Sequence, residues 1–299
     1  MLQLRAFPVL LLAIAAVAGG CAAPAPVTAP APVPEAPAVR TNENLHSVLW
    51  TQTAVEYRAT AEQAYRLAAL MLDRALEDST WTAALEQQEA GGYASLPPAV
   101  VLDVDETVLD NAAYQARLVR DDAAYSSATW DAWAQEAAAV PVPGAVDFTQ
   151  YAAAKGVTVV YLTNRRGTTE AATRRNLAAY DFPVAAGDDV VLTRGERPEW
   201  AASEKEPRRR AVAEKYRILL LVGDNLGDFM SGVEGSVAER DALAAPYGAY
   251  WGTRWIMLPN PQYGSWEGAL FDFDYQLTPA QRLQRKYERL DTEGAPPRD

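Results

Sequence analysis

The chain has 299 residues, 49% apolar and 22% charged, the composition of a globular protein with room for one large core and an accessory domain. A formal net charge of −12 disfavours sequence-independent association with nucleic-acid phosphates, so no nucleic-acid partner is expected. One cysteine and one histidine exclude an internal disulfide, a cysteine-held zinc and the histidine-rich two-metal hydrolase sites.

Arg5 precedes an apolar run from Phe7 to Val17, and the small residues Ala18, Gly19 and Gly20 lead into Cys21. This order predicts a secretory signal over residues 1–20, with an apolar run too short for a comfortable membrane span. Small residues before a lone cysteine resemble the processing site of bacterial lipoproteins, which implies acylation of the Cys21 thiol. Ala18 stands where that site more often has Leu, and ordinary cleavage leaving a free thiol is the alternative. Ala22, in place of Asp, resembles lipoproteins sorted to an outer membrane. The expected location is therefore the bacterial cell envelope, with the membrane as a partner through a lipid anchor. Residues 22–39 are nearly all Ala, Pro and Val with six prolines, a composition that favours extended polyproline II over a packed core. The segment 21–41 reads as a tether that, at ~3.1 Å per residue, reaches on the order of 50 Å.

From Asn42 to Glu89 the pattern is helical, with Ala64, Tyr65, Ala68, Leu72, Ala75 and Leu76 on one buried face. His46 falls here and is expected to be structural. Gly91-Gly92 and Pro97-Pro98 close this segment (42–92). Three nearly continuous apolar runs follow, Ala99–Asp103, Val157–Leu162 and Ile218–Val222, with two weaker ones at Val190–Leu192 and Trp255–Leu258. Such runs suit strands covered on both faces of a parallel sheet. Helical stretches near Gly167–Tyr180 and Lys205–Tyr216 separate them, so residues 93–277 are expected to form an open α/β core. An insertion over 114–140 carries Trp130 and Trp133 and is expected to join the N-terminal helices in a smaller helical cap. The tail, 278–299, reads as a charged surface helix.

Each of the three strong strands ends in polar residues: Asp103-Val-Asp105, Thr163-Asn164 and Asp224-Asn225. Ligands of open α/β sheets bind at the carboxyl ends of strands, so three strand ends converge on one crevice. Two carboxylates two residues apart on a continuing strand point the same way. They repel unless a cation separates them, and a hard ion such as Mg²⁺ takes one or two carboxylates plus substrate phosphate oxygens. Asp224 and Asp228 could complete its shell, with Gly223 and Gly227 allowing the turn between them.

Asp103-Val-Asp105-Glu106-Thr107, then Thr163 after a strand, then Lys205, then Gly223-Asp224-Asn225-Leu226-Gly227-Asp228-Phe229 resemble the four motifs of the haloacid dehalogenase superfamily. Trp50–Tyr57, Leu109-Asp-Asn111, Pro143-Gly144-Ala145 and Leu258–Glu267 extend the resemblance to the class C acid phosphatases, the outer-membrane lipoprotein and 5′-nucleotidase group. The similarity runs from about Leu49 to Phe271. It implies a haloacid-dehalogenase-like, Rossmann-like α/β core and hydrolysis of phosphate monoesters, nucleoside 5′-monophosphates above all. It implies Asp103 as nucleophile and Asp105 as the group that protonates the leaving alkoxide and then deprotonates water. Thr163 and Asn164 would bind phosphoryl oxygens and Lys205 would neutralise charge. Mg²⁺ would sit on Asp103, the Asp105 carbonyl and Asp224, with Asp228 holding its waters.

Lys205-Glu-Pro-Arg208 matches the family's Lys-x-x-Arg spacing and is preferred to Lys215. Arg165 and Arg166 are read either as phosphate ligands or as a solvated turn. Trp130 and Tyr263 align with the family's base-stacking aromatics, although a lone helical Trp is more often core. The family implies a homodimer, with no interface legible in the residues. A dehalogenase would have no use for Asp105 as acid, and a mutase would need a second phosphate site. A binding lipoprotein without turnover is the alternative from outside the enzymes.

Overall fold

The computed structural model describes residues 42–184 and 189–294. The expected signal, Cys21 and the tether lie outside them. The described residues all fall in one compact unit. Seven strands occur in it: β1 (Pro98–Leu102), β2 (Leu109–Asp110), β3 (Val140–Pro141), β4 (Thr158–Arg166), β5 (Val191–Arg194), β6 (Arg217–Gly223) and β7 (Trp255–Met257). Five form a wholly parallel sheet in the order β5-β4-β1-β6-β7. The two weaker apolar runs form strands, as expected, and the sheet order makes them its edges.

Alternation along the strands builds two cores, one on each face of the sheet. Val100 and Leu102 of β1 join Val159, Tyr161, Leu220 and Val222 on one side. Ala99 and Val101 join Val160, Leu162, Ile218 and Leu221 on the other. Being covered twice explains why these strands are apolar at nearly every position.

The first core is roofed by the helix Val55–Glu77, which buries Ala61, Tyr65, Ala68, Met71, Leu72 and Ala75. It packs on β6, β7 and the helix Ala145–Ala154. Gly144 begins that second helix at φ +88°, and a Cβ there would lie 3.1 Å from the Tyr65 Cβ, so glycine serves both the turn and the close approach. The expectation of N-terminal helices grouped in the cap therefore needs dividing. Leu45–Thr53 packs on the insert helix Ala112–Asp121, whereas the long helix is a layer of the sheet domain.

β2 and β3 pair antiparallel, Leu109 opposite Pro141 and Asp110 opposite Val140. This short ribbon closes the base of the insert, whose helices are Ala112–Asp121 and Ser127–Glu136. The two longer predicted helices are trimmed. A 3₁₀ turn at Gly167–Thr169 precedes Glu170–Ala178, and the next helix runs Glu206–Ala213 with Pro207 in its first turn. In the tail, Thr278 caps the helix Pro279–Glu288 with a reciprocal capping box.

Candidate active site

The site lies where the strand order reverses. From β1 the chain moves to β4 and β5 on one side, then returns to β6 and β7 on the other, leaving a crevice at the carboxyl ends of β1 and β6. Asp103 follows β1 directly, and its N–H still donates to the Val222 carbonyl at 2.9 Å. Asp224 follows β6 in the same way. Parallel register thus sets the two carboxylates side by side.

Asp228 is brought in by a tight turn. Asn225 accepts from the Gly227 N–H at 3.3 Å, and Asp228 Oδ2 accepts from the Asn225 N–H at 2.9 Å. Gly223 makes this possible by its missing side chain, because a Cβ there would fall 2.2 Å from Asp228 Oδ2. One carboxylate oxygen from each of Asp103, Asp224 and Asp228 lies within 4.8 Å of the others. Lys205, at the start of the helix Glu206–Ala213, donates to Asp103 Oδ1 and, at 2.7 Å, to Asp228 Oδ1. Lys205 is buried, whereas Lys215 is exposed on the surface.

Charge in this crevice is unbalanced. Burial, opposed by Lys205 and reinforced by Asp228 and Asp105, raises the Asp103 carboxyl to about 7. Burial together with Asp228 and Asp103 pushes Asp224 well above the usual carboxylate range. Burial alone would lower Lys205, but Asp103 and Asp228 hold it above its ordinary value. Among the described residues Asp224 receives only neutral donors, Thr107 Oγ1 at 3.3 Å and Asn260 Nδ2 at 2.8 Å. Three carboxylates with one ammonium are short of positive charge, and the donors are all hard oxygens. This set suits a divalent cation.

Asp105 lies apart from the three-carboxylate group. Its Oδ1 accepts from Asn111 Nδ2 at 3.0 Å and Arg165 Nε at 2.9 Å, and Thr163 Oγ1 is 3.4 Å from its Oδ2. The solvated-turn reading of Arg165 is overturned. β4 continues through Arg166, so Thr163 and Arg165 alternate inward while Asn164 faces the opening, and Arg165 is 1% exposed. Arg166 pairs with Asp131 of the insert at 2.8 Å. Asn164 is gripped by the buried Arg208, whose Nη2 donates to Asn164 Oδ1 at 2.6 Å while Nη1 donates to the Thr163 carbonyl at 2.5 Å. Arg208→Ala strands both acceptors, and urea denaturation is expected to show a loss of about 2–3 kcal/mol.

Glu106 was not singled out by the sequence. It is buried at φ +57°, takes the Asn111 N–H on Oε2 at 3.1 Å and the Tyr263 hydroxyl on Oε1 at 2.8 Å. Burial and Asp110 raise its carboxyl to about 8, against the hydrogen bonds from Tyr263 and Asn111. Tyr263 thus has its hydroxyl anchored beside the nucleophile loop and its ring half-buried. Trp130 is half-buried in the insert, edge-on to Tyr114 with centroids 5.1 Å apart, with the Arg165 guanidinium 5.9 Å from its ring.

Comparison with known proteins agrees with this geometry. Residues 27–266 match the family model described as HAD superfamily, subfamily IIIB (Acid phosphatase). The solved structure of the class C acid phosphatase from Bacillus anthracis is 35% identical, superposes with a TM-score of 0.72, and covers 83% of this chain and 97% of its own. A crystal structure of class C acid phosphatase from the same organism with tungstate bound gives 34% identity, a TM-score of 0.71 and the same coverage. The parallel sheet and its carboxylate crevice are those of a hydrolase acting on phosphomonoesters. The chain belongs to the acid phosphatases of HAD subfamily IIIB.

Proposed function

We propose that the protein is a lipid-anchored, Mg²⁺-dependent acid phosphatase of the bacterial outer membrane that cleaves nucleoside 5′-monophosphates through an aspartyl phosphate on Asp103. The observation that carries this reading is the placing of Asp103 against Lys205, inside a group completed by Asp224 and Asp228. A Bacillus anthracis relative holds tungstate, a tetrahedral oxyanion like phosphate, which supports the phosphatase reading.

Asp103 attacks phosphorus as the bond to the ester oxygen breaks, and Asp105 gives its proton to that oxygen. Water then attacks phosphorus, its proton goes to Asp105, and the Asp103–phosphorus bond breaks. The balance is monoester plus water to alcohol plus phosphate, with both carboxyl groups restored. Lys205 offsets charge on Asp103 and the phosphoryl oxygens. Thr163 and Asn164 present donors at the end of β4, the second steadied by Arg208. Asp103, Asp224 and the Asp105 carbonyl would hold Mg²⁺, with Asp228 holding its waters, and the ion supplies positive charge to phosphoryl oxygens when bound. Trp130 and Tyr263 are the aromatics assigned to the nucleobase.

Phosphate release from a nucleoside 5′-monophosphate panel and p-nitrophenyl phosphate, with Mg²⁺ or EDTA, tests the reading. Exhaustive chelation is expected to remove activity and added Mg²⁺ to restore it; full activity in EDTA would contradict the metal. Anchoring rests on the signal, Cys21 and the proline-rich segment. Palmitate labelling that survives Cys21→Ser would remove it. The family resemblance also carries a homodimer, which a monomer mass by light scattering would exclude.

A further inference from the structure

We propose that Arg165 and Asn111 are positioning residues that occupy one oxygen of Asp105 and leave the other as its proton-carrying atom, tying the acid–base group to the helical insert. This rests on the acid–base role assigned above to Asp105.

Asp105 Oδ1 accepts two hydrogen bonds, from Asn111 Nδ2 at 3.0 Å and Arg165 Nε at 2.9 Å, and Arg165 Nη2 makes an ion-pair contact with it at 2.8 Å. A carboxylate oxygen has two lone pairs, so these donors exhaust it and a proton there would have no room. Among the described residues Oδ2 has only Thr163 Oγ1 at 3.4 Å, a long contact that leaves capacity free. The two oxygens of one carboxyl group are therefore unequal. Oδ1 is the fixed end and Oδ2 the working end.

The clamp is itself held from several elements. Arg165 Nη1 donates to Thr173 Oγ1 at 3.2 Å, Nη2 also reaches Asn111 Oδ1 at 3.2 Å, and the Arg165 N–H donates to Thr163 Oγ1 at 3.1 Å. With Nε and Nη2 committed to Asp105 and Asn111, Arg165 can turn that edge of its fork to a phosphoryl group only by releasing them. Asn111 is fully buried, and its amide has one orientation that fits. Oδ1 accepts from Trp133 Nε1 at 2.8 Å and from Arg165, so Nδ2 must face Asp105. Its backbone N–H is held by Glu106. Trp133 belongs to the insert helix Ser127–Glu136, and Trp130 of that helix faces the Arg165 guanidinium. A chain of direct contacts thus runs from the insert through Trp133 and Asn111 to Asp105. A shift of the insert changes the aim of Oδ2.

The role has a signature that fold support alone lacks. An alkoxide leaving group needs a proton in the transition state, whereas p-nitrophenolate leaves without one. kcat/KM reports the first transfer only, so it separates the two esters. For Arg165→Lys, which keeps charge but loses the fork, kcat/KM on a nucleoside 5′-monophosphate is expected to fall about 10²-fold, and on p-nitrophenyl phosphate less than about 10-fold. Asn111→Ser should show the same ordering with a smaller loss, and serves if the arginine variant is poorly folded. In an Asp105→Asn background, Arg165→Lys should change the nucleotide rate by no more than about threefold, since the group it aims is gone. Equal losses on both esters that add to those of Asp105→Asn would overturn the proposal and make Arg165 a fold or phosphate residue. A wild type inactive on both esters would instead bring down the phosphatase reading beneath it.

Discussion

Asp103→Asn is expected to lower kcat/KM by about 10⁴-fold or more on every phosphomonoester, the scale on which loss of a covalent nucleophile is felt. The substitution is nearly isosteric, so the backbone bond to Val222 and the packing below the site should survive. It also removes one of three crowded carboxylates, which relieves repulsion on Asp224, while Lys205 keeps Asp228 as its charged partner. The variant should therefore melt no lower than wild type while being inactive. Thermal unfolding measured beside phosphate release checks both halves. An inactive variant that is also unfolded would leave the loss explained by structure, and retained turnover would remove Asp103 from the chemistry.

Lys205→Met is expected to cost both activity and stability. It strips the one ammonium touching Asp103 and Asp228, both buried. Breaking a buried ion pair from one side costs roughly 3–5 kcal/mol, and loss of one stabilising donor at a developing charge costs about 10²–10³ in kcat. Added divalent cation should recover part of the stability by binding the freed carboxylates, without recovering the rate. Urea denaturation with and without Mg²⁺ reads this. A variant as stable as wild type in EDTA would mean that the Lys205 contacts do not hold the cluster together.

The two predictions draw on parts of the fold that the sequence made legible to different degrees. Double burial makes β1, β4 and β6 apolar at almost every position, and the polar residues that end each run then stand out. That contrast located Asp103, Thr163 and Asp224 before any coordinates. Lys205 was harder, since a lysine on a surface-like helix has no local mark; the spacing to Arg208 supplied it. From sequence Arg165 reads as a phosphate ligand or a turn residue because the apolar run of β4 ends at Leu162. Had the strand been continued, alternation would have sent Arg165 to the same side as Thr163. Glu106 stands in the first motif without a legible role, for its partners Asn111 and Tyr263 are 5 and 157 residues away and only the third dimension joins them. The long helix Val55–Glu77 was legible as amphipathic, but periodicity names a buried face without naming what covers it.

The most direct test of the central claim is to trap the covalent state. Asp105→Asn lacks the base that hydrolyses the aspartyl phosphate, and p-nitrophenyl phosphate needs no acid to form it. The variant mixed with that ester, quenched in acid and analysed by peptide mass spectrometry should carry one phosphoryl group on Asp103, formed in step with a stoichiometric burst of p-nitrophenol. The same burst with Asp103 unmodified, or with the phosphoryl group on another residue, would contradict the account.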